Sequence, residues 1–210
     1  MNQPTKTVTP TEENATAAQQ WQAESDFCGL LSRLWIQEVD QATLALLREP
    51  ASREAYLRLG GHVPDDTSVD TLESLAIEYC ACFLGPRGHL PPHQSVVAQS
   101  RFQGSVIDSL NQFVDLMGSP EGLVAEQRQP DHAGVILALW QGILLARAQA
   151  DEADERSLAE LQDAFARLHL AWLIDYCQAA LRREPGYFYG GLFTVTLAYL
   201  NSHFGLGANE

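Results

Sequence analysis

The side chains that could carry chemistry are few. Among six histidines, His89 and His93 stand four apart, the spacing that lets two imidazoles on one helix face hold zinc. Leu90, Pro91 and Pro92 lie between them. Two prolines exclude a helix there, so the spacing loses that meaning. No HExxH occurs. Cys80 and Cys82 are two apart, and on a helix their side chains diverge by about 200°, too far to share a metal or a disulfide. The four cysteines form neither a CxxC pair nor a disulfide framework. They read as small buried hydrophobes in a reducing compartment. A GxSxG nucleophile elbow and a phosphate-binding GxxxxGKS/T loop are both absent. The chain is therefore read as a non-enzyme that needs no metal and no cofactor. A small metal- or nucleotide-dependent hydrolase using His89, His93, His132 and nearby acids stays open as an alternative.

Two segments ask for more than connection. One is residues 85–96, GPRGHLPPHQSV, a stiff loop that carries His89, Leu90 and His93. The other is Pro130-Asp131-His132. Asp131 stands where an N-cap would, and its carboxylate is expected to accept the first N–H groups of the next helix. That leaves His132 as a candidate contact, histidine being the side chain whose ordinary range lies near neutral pH.

Helices must position these segments. Phe27, Leu30, Leu31, Leu34, Trp35 and Val39 recur at steps of three and four after Trp21. A short helical piece over 52–59 stops at Gly60-Gly61. Leu72, Leu75, Ala76, Tyr79 and Phe83 form the face of another helix that ends at Gly85-Pro86. The period returns from Gln103 to Met117, with Gly118 as its C-terminal cap. Residues 133–148 are apolar nearly all round, which predicts a central helix. Two more runs reach Arg183 and Phe204, separated by Glu184-Pro185-Gly186. β alternation is lacking, so the fold is expected to be all-α, an irregular bundle of roughly seven or more helices. The organisation expected is a flexible tail at 1–20, a helical half at 21–118, a hinge at 119–130 and a second half at 131–210.

The chain has 210 residues, with 13 Lys+Arg against 27 Asp+Glu and a net charge of -14. Such a surface suits cationic partners and repels nucleic acid. No apolar run is long enough to span a membrane. The first twenty residues lack a basic flank followed by an apolar stretch, which predicts no secretory signal and a cytoplasmic location.

In this order, Tyr79-Cys-Ala-Cys-Phe83-Leu-Gly85-Pro86, Leu90-Pro91-Pro92-His-Gln-Ser95-Val96, Pro130-Asp131-His132 and His169-Leu-Ala-Trp172 through Phe188-Tyr189-Gly-Gly-Leu192 resemble the TorD-like family. These are cytoplasmic chaperones for molybdenum-containing redox enzymes, together with DmsD-like and NarJ-like proteins. The resemblance implies a TorD-like all-α fold and a binding role. The partner would be the apo-form of a molybdenum-containing oxidoreductase, recognised by its twin-arginine signal peptide and held for cofactor insertion before export. It implies a signal-peptide site at Tyr79, Phe83, Leu90, Pro91, Pro92, His93, Ser95 and Val96, with Asp131 and His132 opposite. In that reading Asp131 either caps its helix or pairs with a client arginine. Some members form homodimers by exchanging halves around the Asp-His hinge, and some have been proposed to bind guanine nucleotides. A helical interaction scaffold without signal-peptide specificity is the alternative reading.

Overall fold

The computed structural model describes residues 10–85, 89–99, 104–117 and 129–204. Among them are ten α-helices and no strand. They are α1 (Pro10–Ile36), α2 (Gln41–Arg48), α3 (Pro50–Arg58), α4 (Val69–Tyr79), α5 (Gln94–Gln99), α6 (Ser105–Met117), α7 (Ala133–Gln149), α8 (Glu155–Phe165), α9 (Ala171–Leu181) and α10 (Tyr187–His203). Two π-helical turns prolong this set. Cys80–Leu84 continues α4, and Ala166–Leu170 joins α8 to α9. The all-α expectation holds. Gly118 and most of the proposed hinge at 119–130 lie outside the described residues.

The central helix is α7, as its composition predicts. Every residue from Ala133 to Trp140 is buried. Its main partner is α1, and the two approach closely because small residues face each other. Ser25 donates to Gln141 O at 3.2 Å, and Ser32 donates to Gly134 O at 2.8 Å. A Cβ on Gly134 would lie 2.6 Å from Ile36 Cγ1 and 3.0 Å from both Ile36 N and Ser32 O. Those backbone atoms cannot turn away. Alanine is the better helix former by about 1 kcal/mol, yet Gly134→Ala is expected to lose about 2 kcal/mol net from overpacking. A urea titration reads this, and equal or greater stability in the variant would disprove the close approach.

Trp35, fully buried near the end of α1, joins the rest. Its ring lies 5.7 Å from Phe83, 5.6 Å from Tyr176 and 5.4 Å from Phe193, and its Nε1 donates to Thr196. At the other end of the α1–α7 pair, Arg147 covers the Trp21 ring at 4.2 Å and bonds Gln162 and Glu155 of α8.

Several boundaries differ from those expected. α1 begins at Pro10, not near Trp21. The first part of that stretch is rich in alanine and glutamine, which favour a helix without an apolar period. The helix ends at Ile36, so Val39 is buried from the connection to α2 instead. Pro50 opens α3, where its missing N–H costs nothing.

Candidate functional site

The proline-rich loop is irregular up to His93, as its prolines require, and then turns into the six-residue α5. Besides a bond from Leu90 N to Cys82 O of the α4 π turn at 3.4 Å, it is fastened to three further parts of the chain. The first is the start of α7. Gln94 N donates to Asp131 O at 3.0 Å and Ala133 N to Pro92 O at 2.8 Å, a two-bond antiparallel bridge between His93 and His132. The Asp131 carboxylate, with no solvent exposure, completes this joint. It accepts from Ser95 N at 3.1 Å, from Ser95 Oγ at 2.5 Å and from His93 Nδ1 at 3.1 Å.

The second is the π turn between α8 and α9. A π turn shifts the helical bonding and leaves carbonyls for other donors. Gln94 Nε2 donates to Leu168 O at 2.6 Å, and Trp172 Nε1 to His169 O at 2.9 Å. That fixes Gln94 Oε1 as the acceptor from His169 Nδ1 at 2.9 Å. His169 therefore carries its proton on Nδ1, and Nε2 accepts from Ser109 of α6 at 2.9 Å. The third fastening is α9, where Tyr176 donates to Leu90 O at 2.7 Å.

Between the loop, the α4 π turn, α9 and α10 lies a cleft of about 700 Å³. Leu90, Cys82, Tyr176 and Phe193 give it apolar walls, and Arg183 and Glu184 stand at its rim. Glu184 has φ +53°, a left-handed conformation in which glycine or asparagine is usual after a helix. Across α4, Glu78 accepts from Phe188 N at 3.0 Å and Tyr189 N at 3.3 Å, which caps α10 and sets the wall it forms.

The sequence model of the nitrate reductase delta subunit family matches residues 37–178, about two thirds of the chain. The match spans α4, the loop, its joint with α7 and the π turn that holds it. The chain belongs to that family. It is a NarJ/TorD-type family of chaperones for molybdoenzyme maturation, as the resemblance implies. No curated protein and no solved structure matches the chain.

Within this delta-subunit fold, the residues singled out from sequence fall into two groups. Leu90 lines the cleft, and Pro91, His93 and Val96 are half-buried on the loop. Tyr79 and Phe83 are buried beneath it, their rings 5.0 Å apart and against Tyr189. Pro92, Ser95, Asp131 and His132 are buried too, in the joint.

One expectation is corrected there. The N-cap of α7 is His132, whose Nδ1 accepts from Gly134 N at 3.1 Å. Asp131 points the other way, to the first turn of α5, because the backbone bridge brings Ser95 and His93 within its reach. Burial disfavours its charge, but the bonds from His93 and Ser95 outweigh that and hold its carboxyl below the usual range.

Gln94, His169, Tyr176 and Phe193 were missed as site residues. Trp172 and the Phe188–Leu192 stretch carry the family pattern close to three of them. Nothing local marks Gln94. Cys82 is an ordinary thiol made less acidic, its pKa raised to about 11 by burial. Among the described residues no group of three or more His, Cys, Asp and Glu could hold a metal ion. Nor is any helix among them long and apolar enough to cross a membrane.

Proposed function

We propose that this chaperone binds the twin-arginine signal segment of a molybdenum-containing redox enzyme in the cytoplasm and holds the apo-enzyme while its cofactor is inserted. The cleft carries this reading. It has apolar walls for the apolar stretch of such a segment, and its loop wall is fixed at four points before any ligand arrives. A wall held in place spares the ordering cost that a mobile loop would add to binding. Leu90, with Pro91, His93 and Val96 beside it, would meet the peptide. Tyr79, Phe83, Pro92, Ser95, Asp131 and His132 would act by positioning that wall. The net charge of -14 favours encounter with a cationic segment.

Calorimetric titration of the full chain with twin-arginine signal peptides of molybdoenzymes, each paired with a Lys-Lys version, tests the proposal. Micromolar or tighter binding to one of them, weakened at least fivefold by the lysine change, is expected. Arginine should matter because its planar fork pairs with carboxylates at two points. Equal binding to both versions would favour a scaffold without signal-peptide specificity, and no binding to any would overturn the reading.

A further inference from the structure

The carboxylate that the sequence offers to a client arginine is not accessible. Asp131 is fully buried and already accepts three bonds. The arginines of a bound segment need another partner, and α4 presents one. Val69, Ile77 and Leu84 are 69%, 70% and 62% exposed and follow one another along α4 and its π turn, whereas other exposed large apolar side chains, such as Leu116, Leu168 and Tyr187, stand on separate elements. At 100° per residue Val69, Glu73, Ile77 and Cys80 fall on one stripe of α4, and Leu84 ends the π turn that prolongs it. Beside the stripe, between α4 and the start of α2, runs a groove of about 360 Å³. Val39, Leu72 and Ala76 make its apolar side, and Glu38, Asp40 and Glu73 its charged side. Bonds from Thr43 hold the Asp40 carboxyl below its usual range, so it is charged at neutral pH.

An exposed apolar stripe bordered by carboxylates of one sign fits a segment that is apolar and cationic. It fits a second copy of this chain less well, since self-pairing would bring two chains of net charge -14 together on faces that each carry the carboxylate trio. One edge of the stripe borders the main cleft, because Ala81, one turn on from Ile77, lines that cleft.

Resting on the signal-segment reading above, we propose that the α4 face receives the arginine-bearing turn of the client segment. Glu38, Asp40 and Glu73 take the guanidinium groups, Val69, Ile77 and Leu84 take the apolar residues beside them, and the apolar stretch that follows enters the cleft.

Two native thiols report on the two surfaces. Cys80 is exposed on the stripe, its Sγ 3.9 Å from Glu38 Oε1, and Cys82 lines the cleft. The full chain is pulsed with N-ethylmaleimide with and without a saturating twin-arginine signal peptide, and the labelling of each cysteine is followed by mass spectrometry. Cys80 labelling is expected to slow at least fivefold. Ile77→Asp and Glu73→Lys, both on exposed positions, are expected to weaken the calorimetric affinity about tenfold with no change in melting temperature.

Protection of Cys82 alone, with both variants binding as wild type, would overturn the α4 assignment and leave the signal-segment reading standing. A wild-type chain that binds no signal peptide would end both. A wild-type dimer by sedimentation, with Cys80 protected without peptide and freed by Ile77→Asp, would give the face to a second copy and overturn the proposal.

Discussion

Asp131→Ala is expected to destabilise the fold by about 3 kcal/mol at pH 7. The carboxylate is wholly buried and accepts from Ser95 N, Ser95 Oγ and His93 Nδ1. Removing it leaves a buried backbone N–H without its partner, and hydrogen bonds to a charged group are each worth about 1.5–3 kcal/mol. The loss is less than their sum because the two side-chain donors can rotate. Asp131→Asn should cost only about 1 kcal/mol. Its amide oxygen can still accept from Ser95, and its NH₂ can donate to an unprotonated His93 Nδ1. Urea unfolding of the two variants gives the comparison. A loss below about 1 kcal/mol for the alanine would show that the joint does not hold the loop. The pair also separates architecture from recognition. If Asp131 serves by holding the loop wall, Asp131→Asn keeps nearly all peptide affinity; if its charge meets the client, affinity falls while stability stays.

The same residue shows where local reading stops. A carboxylate just before an apolar helix has an obvious local use, to cap that helix. Here the helix is capped by His132, and Asp131 serves a segment 36 residues away. The choice depends on the backbone bridge between His93 and His132, a long-range pairing that no spacing along the chain encodes. By contrast, α7 was legible because a helix apolar on every side can only be central. The loop was legible as non-helical because proline acts locally.

The cleft follows the same division. Leu90 was readable on the loop, but Cys82, Tyr176 and Phe193 come from three other elements. Each looks like ordinary core until the elements meet. The two π turns had no sequence signal, since their bonding differs from an α-helix by one residue of register. Both nevertheless lie at the site: one supplies Leu168 O to Gln94, and the other supplies Cys82 to the cleft wall. The bundle as a class was thus visible in the apolar period. The register and pairing that make a site were not.

Acidification between about pH 6.5 and 4 is expected to remove roughly 3 kcal/mol of stability through His169. Burial lowers its pKa from 6.5 to about 4. Around it stand Gln94, Ser109 and the rings of Phe113 and Phe165, none of which carries a negative charge to offset the desolvation of an imidazolium. The folded chain keeps the imidazole neutral while the unfolded chain protonates it. Within that window the unfolded state binds more protons, so stability falls as pH falls. Well above pH 6.5 neither state is protonated and the contribution is constant. His203, also lowered by burial, acts in the same direction. Asp131, a carboxylate held low, acts in the same direction but further down the scale, losing its contribution only below about pH 4. His169→Asn isolates the term, because its amide can still donate to Gln94 while it cannot titrate. At pH 7 the variant is less stable, lacking the Ser109 bond and part of the ring's packing. By pH 4 the gap should close by about 2–3 kcal/mol. Parallel stability curves for wild type and variant across the window would show that another group titrates, and that the Gln94–His169–Ser109 relay tolerates a charge.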